Sequence, residues 1–125
     1  MANRRAVLQP VIEINADQVQ DTCCVIPTRG AKTALFWLNV LKNTSTGTVK
    51  VDLVGSSSLS LLGDAGGASP TSYWVNLKQL TVGTAVGAFT DVAATLPDFL
   101  GWQVEGIAGA SPVFQFEIVV YFYDT

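Results

Sequence analysis

Histidine is absent from this chain and charge is scarce. Without an imidazole, histidine-dependent general acid–base catalysis and the Ser–His or Cys–His nucleophile arrangements are excluded. Thiols are almost as rare, since the two cysteines, Cys23 and Cys24, are neighbours. Two thiols and no histidine do not furnish the usual ligands of a structural zinc site within one chain. In an extended strand they point to opposite faces, and a disulfide between adjacent cysteines closes a strained ring. They read as reduced small hydrophobes in a reducing compartment. Charged residues make up 14% of the chain, against about 25% in an average soluble domain. Lysine and arginine total 7 and the net charge is −3, which argues against a primary nucleic-acid binder, because phosphate neutralisation needs a concentrated basic face. No run of about 18 apolar residues is long enough to span a bilayer as a helix. The opening MANRRAVLQPVIEIN lacks the apolar core of a signal peptide and meets Pro10 and Glu13 early. Synthesis and folding in a cytoplasm, away from membranes, is the expectation.

What the chain does have is alternation. A length of 125 residues suits one domain that buries about two thirds of its unfolded surface. In VKVDLVG, Val49, Val51 and Leu53 share one face and Lys50 and Asp52 the other; in GWQVEGI, Trp102 and Val104 oppose Gln103 and Glu105. Both read as half-buried antiparallel strands. TALFWLNVLK is apolar on both faces and is expected to be central or covered on both sides. PTRGAK, KNTSTGT, LGDAGGASPTS and GIAGASP carry the Gly, Pro, Ser and Thr that punctuate turns. The predicted fold is an all-β antiparallel sandwich, jelly-roll-like, of about eight strands. Helix has little room: VAATLPDFL is stopped by Pro97, and SSSLSLLGDAGG is too rich in Ser and Gly. Residues 1–14 read as an extended N-terminal arm or an edge strand, because Pro10 cannot donate to a ladder. As an arm, this segment would contact a neighbouring subunit, and its removal would spare the sandwich.

Several motifs resolve into ordinary structure. Asp52, Asp64, Asp91, Asp98, Glu105 and Glu117 stand at outward strand positions or in turns, where solvated surface charge is the default. GDAGGASP lacks the Lys-Ser/Thr ending and the strand-to-helix setting of a phosphate loop. The NTS at Asn43 is read as a turn. No catalytic residue, cofactor site or metal site is predicted, and the chain is read as a non-enzyme.

The aromatic residues say more. Trp37, Trp74 and Trp102, with Tyr73, Tyr121 and Tyr123, suit either a sugar platform or a sandwich core with a subunit interface. The second is preferred, because sugar platforms are accompanied by carboxylates, amides and arginines that are sparse here. In SPVFQFEIVVYFYD, Phe114, Phe116, Ile118, Val120 and Phe122 form a core face. The reverse face starts polar with Gln115 and Glu117 and turns apolar at Val119, Tyr121 and Tyr123. The polar start is expected toward solvent, and the apolar part under a partner or the N-terminal arm. A surface this poor in charge is weakly protected against association. The predicted interface comprises Leu35, Trp37, Leu41, Val119, Tyr121 and Tyr123, with Arg4, Arg5 and Pro10 from the N-terminal segment; the Arg4–Arg5 pair reads as solvated arm or as a contact to phosphate or an acidic neighbour.

The order ALFWLNVLKNTSTGTVKVDLVGSS, YWVNLKQLT and LPDFLGWQVEGIAGASPVFQFEIVVYF, over residues 34 to 122, resembles small all-β virion structural proteins of tailed bacteriophages. Its marks are an apolar strand, a polar turn into a T-x-x-V-x-L type strand, a Trp-bearing strand, a Leu-Pro corner and a Gly-x-Ser-Pro turn. The resemblance implies a role like that of head decoration, cement or spike-base proteins. The partners would be further copies of the chain, as in a trimer, and the major capsid protein or another virion protein, with no direct nucleic-acid contact. The location would be the virion, assembled in the host cytoplasm. A tail- or fibre-associated module binding a receptor or glycan, or a carbohydrate-binding module, stands as the alternative.

Overall fold

The alternating segments around Val51, Trp102 and Phe116 are strands in the computed structural model, which describes residues 4–21, 24–57 and 74–124. Among these residues there are nine strands and no α-helix: β1 (Arg4–Ile14), β2 (Gln18–Val19), β3 (Ile26–Pro27), β4 (Thr33–Asn43), β5 (Val49–Ser56), β6 (Val75–Gly83), β7 (Gly87–Ala94), β8 (Phe99–Glu105) and β9 (Phe114–Tyr123). One antiparallel sheet has the order β1-β9-β4-β7; the other runs β2-β8-β5-β6, with β3 also bonded to β8. Gln18 pairs with Val104 and Pro27 with Phe99, so β2 and β3 occupy one edge of β8 in succession. They are one strand position broken in two. Counting the pair once turns nine strands into eight positions, arranged with the sheet-to-sheet alternation of a jelly roll.

The N-terminal segment takes the edge-strand alternative. From Arg4 to Ile14 it pairs antiparallel with β9, Arg4 opposite Phe122 and Ile14 opposite Phe114. The register shifts at Val7/Gln9 and at Gln9/Ile12. Pro10 falls in the second shift, where a residue without an N–H is tolerated on an edge.

The core lies between the sheets. Phe36, Leu38, Phe116, Ile118 and Val120 from one sheet face Val51, Leu53, Leu100 and Val104 from the other, all with no measurable exposure. Trp102 meets the edge of Phe116 at 5.2 Å between centroids, and its Nε1 donates to Gln9 Oε1 at 3.0 Å. The ring is thereby buried without orphaning its N–H.

One expectation fails in β5. The alternation assigns Asp52 to a solvated face, yet Asp52 is 1% exposed, and Val54 and Ser56 behind it are buried as well. The cause is a second small cluster, in which Val19, Val54 and Trp74 pack with Val25 and Phe99 on the outside of this sheet. A strand covered on both faces loses its polar side, and here the carboxylate went under with it. Among the described residues, Asp52 Oδ1 has no hydrogen-bond partner. The other described Asp and Glu side chains are half-buried or exposed; Asp91 sits 4.0 Å from Lys78 Nζ. Cys24 also departs from expectation, being exposed in the β2–β3 connection rather than in a strand. Cys23, Asp64, Tyr73, GDAGGASP and most of SSSLSLLGDAGG lie outside the described residues.

The turns at one end of the sandwich are tied together. Asn43 Oδ1 accepts from the Ser45 amide at 3.1 Å, which makes the NTS a side-chain-bonded turn. Ser45 Oγ accepts from Gly47 N at 3.1 Å and from Ala108 N at 3.0 Å. Gly106 closes this cluster at φ +88°, where a Cβ would stand 2.1 Å from Thr48 O. Gly106→Ala is expected to lose stability, by about 1 to 3 kcal/mol for the backbone conformation alone, with the backbone clash added. Urea unfolding measures it, and an unchanged midpoint would contradict this account of the turn.

Candidate functional site

The outer face of the β1-β9-β4-β7 sheet is built row by row from the register. Val7, Val119, Trp37 and Thr90 lie across from one another, followed by Arg5, Tyr121, Leu35 and Val92. On one side of these rows stand Glu117, Asn39 and Ala88; on the other, Tyr123, Thr33 and Ala94. Each side chain is placed by pleating: the partners Phe36, Leu38, Val120 and Phe122 point inward, so their chain neighbours must point out. Trp37 is 37% exposed, Val7 42% and Val92 52%. Cross-strand neighbours meet the Trp37 ring, with Tyr121 edge-on at 6.4 Å.

The polar margin of this face is organised. Trp37 Nε1 donates to Asn39 Oδ1 at 2.8 Å, and Asn39 Nδ2 donates to Glu117 Oε1 at 2.9 Å. The chain of bonds holds the indole over the sheet and keeps Glu117 at the edge of the apolar rows. Gln115 and Glu117 are both half-buried rather than fully solvated.

Leu35, Trp37, Val119, Tyr121 and Arg5 thus come together, and Tyr123 follows at the end of the face. Val119 needs no partner to cover it. It is 5% exposed within this chain, because Val7 and Trp37 flank it on both sides. Leu41, 52% exposed, lies at the irregularity between Val40 and Lys42. Pro10 is exposed on β1. Arg4 is not on this face. It pairs opposite the inward Phe122, its guanidinium 4.6 Å from that ring's centroid, and it donates to Thr28 O. Val7 and Val92 escaped the sequence reading, although AVLQ and DVAA hold the apolar residue that would have marked each.

The tryptophans do not form one platform. Trp102 lies between the sheets, Trp74 in the small cluster outside β5, and Trp37 on the opposite outer face. An open groove of about 780 Å³ is lined by 13–18 and 107–113 at one end of the sandwich, where Asp17 Oδ1 accepts from Ile107 N at 2.9 Å. Among the described residues no group of three or more Cys, Asp or Glu gathers with metal-binding geometry, and no helix is long and apolar enough to cross a membrane.

No family model and no curated protein matches the sequence. Solved structures resemble the fold. The K3 cleaved adhesin domain of Lys-gingipain from Porphyromonas gingivalis is 11% identical with a TM-score of 0.45; the match covers 78% of this chain, which spans only 60% of that one. CBM27-1 of Caldicellulosiruptor saccharolyticus, in complex with mannohexaose, is 10% identical with a TM-score of 0.45, over 93% of this chain and 81% of that one. The capsid of Helicobacter pylori bacteriophage KHP30 gives 15% identity and a TM-score of 0.39, over 99% and 95%. At this level the likeness concerns the all-β architecture and says nothing of partners.

Proposed function

We propose that the chain is a non-enzymatic structural subunit of a virion, which associates with further copies of itself and decorates or cements a capsid lattice. The observation that carries this reading is the open apolar face: Val7, Leu35, Trp37, Val92 and Tyr121 adjoin on one sheet surface, with Val7, Trp37 and Val92 exposed and Leu35 and Tyr121 half-buried. A tryptophan and tyrosine at the centre of a polar-edged patch is the composition of an interface core. A stable contact needs about 800 Å² per partner. The scarcity of charge and the sequence resemblance to phage virion proteins support the same role. Separation of the three tryptophans weighs against a sugar platform.

Light scattering supplies the test. The purified chain is expected as a discrete oligomer at micromolar concentration, and Trp37→Glu, which sets a charge among the apolar rows, as a monomer with unchanged circular dichroism. Binding to capsid shells of a phage carrying the gene should be lost in the same variant. A monomeric wild-type chain, or an oligomer indifferent to Trp37→Glu, overturns the use of this face.

A further inference from the structure

Arg4, Arg5 and Arg29 are all the arginines in the sequence, and all three line one groove of about 520 Å³, together with Ala6, Ile26 and Pro27. The chain's lysines go elsewhere; none lines it. Two distant segments build it, the start of edge strand β1 and β3 with the turn that follows it. That turn is firmly held. Thr28 N donates to Asp98 O at 2.8 Å, Thr28 Oγ1 to Pro97 O at 2.7 Å, and Ala31 N returns to Thr28 O at 3.1 Å. Thr28 is 2% exposed, so the adjacent Arg29, in the left-handed region at φ +52°, is presented from a fixed backbone. Arg4 is fixed too, by Phe122 and by Thr28 O.

Among the described residues, no carboxylate lines this groove. The Lys78–Asp91 ion pair lies elsewhere, and Asp98 is bonded to Thr28 through its backbone. Arginine is the side chain suited to planar, bidentate recognition of carboxylate or phosphate. The shape of the groove selects between them. Arg4, Arg5 and Ala6 are consecutive, and consecutive strand residues point to opposite faces. A groove touching all three therefore follows the edge of β1. That edge is the terminal one of its sheet, bonded to β9 on one side, so alternate backbone groups point away toward the groove. Further along, Gln20 Nε2 takes Leu8 O at 2.7 Å, which ends the open stretch at Val7.

We infer that this groove receives an extended, acidic peptide segment of another protein, which adds to the β1 edge from Arg4 to Val7 and sets its Asp or Glu side chains on Arg4, Arg5 and Arg29. Strand addition supplies main-chain hydrogen bonds, and the arginines supply selection. Ala6, Ile26 and Pro27 give the alternate side chains an apolar floor. A nucleic acid fits less well, because its affinity rests on an extended basic face, whereas the arginines here are confined to one short groove on a chain of net charge −3. The groove shares Arg5 with the margin of the apolar sheet face but runs along the β1 edge; Arg29→Glu probes the groove alone and Trp37→Glu the face alone, so the two readings fail separately.

The test is fluorescence anisotropy with a labelled short peptide alternating glutamate and valine. Saturable binding is expected, weakened by salt and reduced about tenfold or more by Arg29→Glu or Arg5→Glu, as for loss of one charge-assisted hydrogen bond, with the thermal midpoint unchanged. A peptide N-methylated on alternate amides, and one with lysine in place of glutamate, should not bind. The proposal is overturned if the acidic peptide does not bind, if either control peptide binds as well as it does, if both arginine variants bind unchanged, or if oligothymidylate binds more tightly than the peptide.

Discussion

Removal of residues 1–14 is expected to abolish the folded state. The deletion takes away the whole of β1 and with it Leu8 and Ile14, both in the core cluster. Truncating a single buried Leu or Ile to Ala costs about 2 to 5 kcal/mol, and the deletion removes two such side chains together with a full ladder to β9. It also removes Gln9, the acceptor for the Trp102 N–H. Against a usual total of about 5 to 15 kcal/mol, little is left. The truncated chain should show no cooperative thermal transition. A sharp transition near that of the full chain would mean that these residues behave as an arm, as an extended segment interrupted by Pro10 first suggests.

Two tryptophans should separate folding from association. Trp102→Ala is expected to lower folding stability by about 3 to 5 kcal/mol, the range for a truncated buried aromatic, because Trp102 is 1% exposed, packs edge-on against Phe116 and bonds Gln9. Trp37→Ala should leave the urea midpoint nearly in place and weaken the oligomer instead, by about 2 kcal/mol or more if Trp37 is an interface anchor. Denaturant titration and concentration-dependent light scattering of both variants decide the matter. The assignment of faces is wrong if Trp37→Ala unfolds the subunit while Trp102→Ala only loosens the assembly.

Alternation made much of this legible. Phe114, Phe116, Ile118, Val120 and Phe122 form the inner row that their spacing indicates, and the same holds for Val49, Val51 and Leu53. Periodicity reports which residues share a face of one strand, and nothing about what lies over it. Asp52 illustrates the limit: its burial depends on Trp74 and Val19, brought in from other parts of the chain. Val119 is covered by lateral neighbours on β1 and β4, which only the register reveals. The Arg4–Arg5 pair was visible as a charge cluster, but Arg29 joins it through the placement of β3 on β8, a relation between distant segments. The break between β2 and β3 is likewise invisible where two-residue strands carry no period.

The strand order also governs how the chain reaches this state. Among the described strands, β5 and β6 are the only pair adjacent both along the chain and within a sheet. Every other ladder joins segments separated by at least one intervening strand, and β9 supplies the partner for both β1 and β4. Few contacts form locally, so high contact order should set the refolding time in the millisecond-to-second range of about 10⁻³ to 1 s rather than microseconds. On the ribosome, β1 and β4 must wait for the final strand before their shared neighbour exists. For that interval the apolar rows around Val7 and Trp37 are unpaired edges as well as open faces, the condition in which nascent β-chains aggregate.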